Sequence, residues 1–119
     1  MKKFMAVFTA HAGAFEKYMK QFPNEEQRKA NDRKGIDAWK KWVDQHAKSI
    51  VEGGGPLGKT KRVTRTGIAD ARNDLVGFTV VQAESAEAAA KMFLDHPNFT
   101  VFGGEGVDIM ECLPIPQNH

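Results

Sequence analysis

Apolar residues along the chain follow two different spacings, and one of them is typical of strands. Five segments have the length, the β-branched or aromatic content, or the alternation of apolar and polar positions that strands show. They are residues 3–9, 49–52, 61–69, 75–83 and 107–113. The first is apolar throughout, which predicts a strand that is covered on both faces, and the last alternates strictly.

The other spacing, of three and four residues, predicts helices. A short amphipathic helix is predicted over 13–22, and Pro23 ends it. A long helix is predicted from Asn24 to about residue 48, because the Asn24 and Gln27 side chains can form a capping box. Gly35 weakens a helix by about 1 kcal/mol relative to alanine, so a kink or break is expected over 32–35.

The order of the predicted elements specifies a fold class. Ser85 is expected to cap another helix, with Ala89 and Phe93 on its buried face and Pro97 at its end. Residues 70–74 have the composition of a hairpin turn. The resulting order is β, α, β, β-hairpin, α, β, which predicts one α+β domain over residues 1–119. The predicted arrangement is a ferredoxin-like split βαβ, with helices on one face of an antiparallel sheet. The other face needs a cover, so a homodimer is expected.

Composition narrows the function classes. Of the 119 residues, 41% are hydrophobic and 27% charged, which indicates a packed globular chain, and the net charge of +2 is too small for a nucleic-acid-binding surface. No apolar run is long enough to cross a membrane, so a cytoplasmic protein is expected. A single cysteine, Cys112, and four histidines without ligand spacing predict neither a disulfide nor a metal site.

Three segments share their order and spacing with a known family. They are Gly55-Pro56-Leu57, the strand and helix of residues 80–89, and residues 94–99 leading into 107–111. Together they resemble the YCII-related family over nearly the whole chain. The resemblance implies a ferredoxin-like fold that pairs as a dimeric α/β barrel, with a pocket between the sheet and its helices.

The family is suspected of enzymatic activity because its members typically carry a histidine early in the first long helix and an aspartate directly before a proline. The chain departs from both features. No histidine occurs around residues 37–39, and His46 follows about two turns later. His96 stands directly before Pro97, and Asp95 stands one position earlier.

Residues 53–60 match a phosphate-binding loop letter for letter. Such a loop needs a helix after it, because the phosphates bind at the helix N-terminus. Residues 61–66 are β-branched and strand-like instead. We therefore expect a glycine loop between two strands that does not bind nucleotides.

Several polar and aromatic residues remain as site candidates. A carboxylate beside a histidine can orient it as a general base, which makes His96 and Asp95 the candidate catalytic pair. The alternative is that His96 caps a helix and Asp95 is solvated. The residues expected to line a ligand pocket are Trp39, Trp42, His46 and Glu111. Core packing is the alternative for the tryptophans, and a solvated sheet edge is the alternative for Glu111.

Two functions are compatible with these residues. The first is a small-molecule enzyme of lyase, isomerase or oxygenase type that uses no cofactor, with His96 as acid or base. The second is a small-molecule-binding or regulatory dimer without catalysis, which the missing helix histidine favours.

Overall fold

The computed structural model describes residues 1–11, 13–101 and 103–116. Its strands are β1 (Lys2–Thr9), β2 (Ile50–Pro56), β3 (Thr60–Thr64), β4 (Gly67–Ala71), β5 (Leu75–Ala83) and β6 (Gly106–Glu111). Its helices are α1 (Ala14–Gln21), α2 (Glu25–Gln45), α3 (Ala86–Lys91) and α4 (Pro97–Thr100).

The main sheet has four strands in the order β2-β5-β1-β6, and each neighbouring pair is antiparallel. This is the predicted split βαβ arrangement, with β1 in the interior because the chain returns to both of its sides. Alternate residues of β1, namely Phe4, Ala6 and Phe8, are buried. They pack with residues of α2, α3 and β5 in one hydrophobic core, so the helices lie on one face of the sheet as predicted.

Helix α2 begins as the sequence predicts. The Asn24 side chain accepts a hydrogen bond from the Gln27 N–H at 2.8 Å, and the Gln27 side chain accepts one from the Asn24 N–H at 3.4 Å. The expected break over 32–35 is wrong, because α2 is helical throughout. Gly35 is buried within it, and the helix accommodates this glycine without a break.

The segment between β2 and β5 differs from the prediction. Residues 61–69 were expected to be one strand with a turn after it, but β3 and β4 pair with each other through a turn at Arg65 and Thr66. This hairpin forms a separate two-stranded sheet. Gly67 has a φ of 148°, which favours glycine, and the β-branched neighbours Thr64 and Thr66 conceal this turn signal in the sequence.

The second helical region is shorter than predicted. Ser85 caps α3 by accepting a hydrogen bond from the Ala88 N–H at 3.1 Å, as expected. However, α3 ends at Lys91, and Pro97 begins α4 instead of ending α3. Proline suits the first position of a helix because that N–H has no partner within the helix. The break brings His96 to the N-cap of α4.

Candidate functional site

A cavity of about 460 Å³ lies between α2 and the adjoining parts of β2 and β5. Its volume falls within the range of small-molecule sites. Its lining combines one face of α2, the glycine segment of β2 and the start of β5, with one residue each from β1 and α4. In that order the lining residues are Gly35, Ile36, Trp39, Lys40, Gly54, Gly55, Pro56, Val76, Gly77, Phe8 and Asn98. Of the described residues in this lining, Lys40 alone has an ionisable side chain.

Glycines make room for this cavity and for its neighbours. A Cβ at Gly77 would lie 2.9 Å from Phe8 Cδ2, so the absent side chain admits the Phe8 ring to the cavity wall. Gly54 has a φ of 66°, and a Cβ there would lie 1.9 Å from the Phe78 carbonyl oxygen. The glycine loop therefore brings β2 close to β5, and the strand β3 follows it where a phosphate-binding loop has a helix.

His96 lies directly behind the cavity wall and has 0% of its surface exposed. Its Nδ1 accepts a hydrogen bond from the Asn98 backbone N–H at 3.0 Å. A nitrogen that accepts carries no proton, so the neutral ring has its proton on Nε2. Within the described residues, this Nε2 is buried and has no hydrogen-bond partner.

Four aromatic rings from three segments of the chain, β1, α2 and the residues after α3, enclose His96. Phe8 stacks on the imidazole with ring centroids 4.7 Å apart, while Trp39 and Trp42 each present an edge contact at 4.6 Å. Phe93 lies at 5.7 Å. Burial first, and then the charge of His46, lowers the pKa of His96 from 6.5 to about 4. The ring is therefore neutral at pH 7.

Asp95, the predicted partner of His96, makes no hydrogen bond to it among the described residues. Its side chain is exposed, while the group on His96 Nδ1 is the Asn98 backbone N–H. Adjacent residues at the start of a helix project in different directions, which separates the two members of the expected pair. The orientation of His96 comes from the first turn of α4.

The structure separates the expected pocket residues into three environments. Trp39 lines the cavity and contacts Phe8 with an edge at 5.3 Å. Trp42 belongs to the core, where its Nε1 donates a hydrogen bond to the Met92 carbonyl oxygen at 2.9 Å. His46 lies at the C-cap of α2, with its ring 4.8 Å from that of Trp42.

Glu111 lies on β6, which is an edge strand of the main sheet. Its Oε1 is 3.9 Å from Lys2 Nζ, and both side chains are partly exposed. Glu111 is absent from the cavity lining, and the ion pair at the sheet edge accounts for its charge.

Sequence reasoning missed Asn98 and Lys40, which both line the cavity. The His-Pro-Asn order at residues 96–98 is a usable signal, because a histidine before proline can cap the next helix and bring the third residue beside it. Lys40 stands one residue after Trp39, and nothing in the local pattern separates it from the neighbouring surface lysines.

Neither a metal site nor a membrane segment is found in the part of the chain that the structure describes. No three or more histidine, cysteine, aspartate or glutamate side chains are grouped there in a way that could hold a metal ion. No helix in the same residues is long and apolar enough to cross a membrane.

The architecture is that of a dimeric α/β-barrel-type fold, a small α+β unit with an antiparallel sheet and helices on one face. A similar solved structure is 5-chloro-2-hydroxyhydroquinone dehydrochlorinase from Burkholderia phenoliruptrix AC1100, in complex with 2,5-dihydroxybenzoquinone. The match covers 91% of this chain and 90% of that one, with a TM-score of 0.52 and 13% sequence identity. No family model and no curated protein matches the sequence. This similarity establishes the fold.

Proposed function

We propose that the protein is a YCII-like small-molecule enzyme that works without a cofactor and holds its substrate in the cavity beside α2. One observation carries this proposal. A neutral histidine whose Nε2 proton has no acceptor among the described residues lies directly behind the wall of a largely apolar cavity. A buried donor left without a partner is unfavourable, and such groups occur where function requires them.

The hydrogen bond to Nδ1 restricts what His96 can do. With its proton on Nε2 and a pKa of about 4, it acts at pH 7 as a neutral hydrogen-bond donor that can polarise a substrate oxygen. Serving as a general base would require the proton to move to Nδ1, which would break the hydrogen bond to Asn98. Either role requires Phe8 or Trp39 to shift, because these rings stand between His96 and the cavity.

The solved structure of similar fold supports a small-molecule reaction. That protein is named a dehydrochlorinase, and its bound 2,5-dihydroxybenzoquinone is a flat ring that carries oxygen substituents. The cavity of this chain has an aromatic wall and can hold a molecule of that kind. We extend to this chain only the class of ligand, a small oxygenated ring.

A binding protein without catalysis is the second candidate. It is favoured by the burial of His96 and by the described lining of the cavity, where Lys40 alone is ionisable. In this case His96 serves as a helix cap and a core residue.

Turnover separates the two functions. The wild-type protein is incubated without oxygen with 5-chloro-2-hydroxyhydroquinone and a panel of hydroxylated aromatic acids, and the products are followed by chloride release and mass spectrometry. The variant His96→Asn keeps a cap acceptor and removes the ring, and Asp95→Asn is the matched control. We expect turnover by the wild type and Asp95→Asn, and a loss of at least about 100-fold in His96→Asn.

Three other outcomes would contradict all or part of this proposal. Binding of a panel member without any product supports the second candidate. Turnover that survives in His96→Asn excludes the proposed role of His96. No binding of any panel member at millimolar concentration contradicts the small-molecule function itself.

The proposed enzyme is a homodimer, with each copy forming one domain over residues 1–119. The sheet face opposite the helices carries Met5, Val7, Phe78 and Val80, which are half-buried within one chain and form cross-strand neighbours on β1 and β5. A second copy would cover this apolar face. Light scattering should give a mass of about 26 kDa, twice the 13.2 kDa of the chain.

A charge at the centre of that face tests the assembly. Val80→Arg should give the monomer mass, while Leu94→Arg, at an exposed position after α3, should leave the dimer intact. A monomeric wild type at tens of micromolar would contradict the dimer.

A further inference from the structure

Asn98 is a cavity-lining residue whose side chain carries a buried hydrogen-bond donor. Its residue is 6% exposed and belongs to the cavity lining. Its Nδ2 is buried and has no hydrogen-bond partner among the described residues. A side-chain amide of this kind is satisfied by an acceptor that arrives with a ligand.

The backbone of Asn98 is fixed on both sides. Its N–H donates to His96 Nδ1 at 3.0 Å, and its carbonyl oxygen accepts from the Gly104 N–H at 2.6 Å. These bonds tie the first turn of α4 to the segment that enters β6. The position of the side chain therefore follows from the fold before any ligand is present.

The side-chain amide occupies space that only a glycine leaves open. A Cβ on Gly104 would lie 2.3 Å from Asn98 Nδ2 and 2.5 Å from its Cγ and Oδ1. These three atoms are its nearest neighbours, so the amide packs directly on the Gly104 backbone. Gly104 thus holds the amide of Asn98 in place.

Charge in the cavity favours a negative or strongly accepting ligand. Among the lining residues that the structure describes, Lys40 is ionisable and no carboxylate accompanies it. Apart from Asn98, the other lining residues are apolar or glycine, and Trp39 is among them. An aromatic or quinoid ring with an anionic or carbonyl oxygen matches this combination.

We infer that Asn98 recognises the ligand of this cavity by donating a hydrogen bond from Nδ2 to an oxygen substituent of a flat ring. Lys40 supplies positive charge to the same ligand. The inference rests on the proposed small-molecule function and adds the residues that recognise the oxygen of the ligand. Asn98 is a binding residue here, and Gly104 is a positioning residue that acts through it.

Two probes test the donor. 2,5-Dihydroxybenzoquinone carries oxygen acceptors, and indole is a flat ring without one. Both are titrated into the protein by calorimetry, with quenching of tryptophan fluorescence as a second readout, since Trp39 is in the wall. Asn98→Ala should weaken the quinone by about tenfold to a hundredfold and change indole by less than about threefold.

Gly104→Ala gives an independent test through the same amide. Its methyl group should displace the Asn98 side chain and weaken the quinone as Asn98→Ala does, and it should have no further effect in the double variant. Gly53→Ala is the matched control, because a Cβ there has no atom within 4 Å. Lys40→Met should also weaken the quinone, and the neighbouring Lys41→Met, outside the lining, should not.

The outcomes are distinguishable. Equal losses for both probes in Asn98→Ala, or additive losses in the double variant, overturn the inference and leave the small-molecule function standing. If Asn98→Ala fails to fold, the isosteric Asn98→Asp decides, because a carboxylate without the Nδ2 donor should weaken the quinone selectively. Absence of quinone binding to the wild type at millimolar concentration overturns both the inference and the proposed function.

Discussion

Acid should destabilise the protein mainly through His96. In the folded chain its pKa is about 4, whereas the ordinary value of 6.5 applies after unfolding. Between these values the unfolded chain binds a proton that the folded chain does not, so the free energy of unfolding falls as the pH falls. The full shift corresponds to about 3 kcal/mol, of which about 2 kcal/mol is lost by pH 5.

The variant His96→Asn isolates this contribution. Asparagine can still accept the hydrogen bond from the Asn98 N–H but does not titrate. The cavity that it leaves lowers stability at every pH, so the change with pH is the quantity to compare. Protonation of carboxylates affects both proteins and cancels in the difference.

Urea unfolding at several pH values between 5 and 7.5, followed by tryptophan fluorescence, measures the effect. Trp39 and Trp42 both contact the His96 ring and report on its surroundings. We expect the wild type to lose about 2 kcal/mol more than His96→Asn between pH 7.5 and pH 5. A difference between the two proteins that stays constant over this range would refute the reasoning, because His96 would then titrate alike in both states.

Three further substitutions test local features. Asn24→Ala removes the α2 cap and should lower the free energy of unfolding by about 1 kcal/mol in urea titrations, with exposed Glu26→Ala as the control. Gly54→Ala places a methyl group against the Phe78 carbonyl and should cost more than about 2 kcal/mol, whereas Gly53→Ala should cost less than half of that. Lys59→Ala should change the free energy of unfolding by less than about 0.5 kcal/mol. Calorimetry should detect no magnesium-dependent ATP binding to the wild type or to this variant. Micromolar binding to the wild type that the substitution abolishes would contradict the strand assignment of β3.

Local signals in the sequence predicted the features that depend on neighbouring residues. Asn24 with Gln27, and Ser85 with the residues after it, specify helix starts within one turn, and both caps are present. The turn at Arg65 and Thr66 was missed because β-branched residues have strand propensity on both sides of it. Pro97 was assigned to the wrong end of a helix, since proline both ends helices and begins them.

The surroundings of His96 could not be predicted from neighbouring residues. The rings that enclose it come from β1, α2 and the segment after α3, so they meet only through the fold. Asp95 was chosen as its partner because it is adjacent in sequence, and Asn98 was not considered. The deciding fact, a backbone N–H on Nδ1, depends on the helix turn that Pro97 starts.

The glycine walls of the cavity have a consequence for how its ligand preference can change. Gly55 lines the cavity, and a Cβ there would meet no atom within 4 Å. The first carbon of a side chain at this single position would therefore meet open space instead of protein atoms. A change at one codon beside the cavity could thus alter the volume left for a ligand while the fold remained intact.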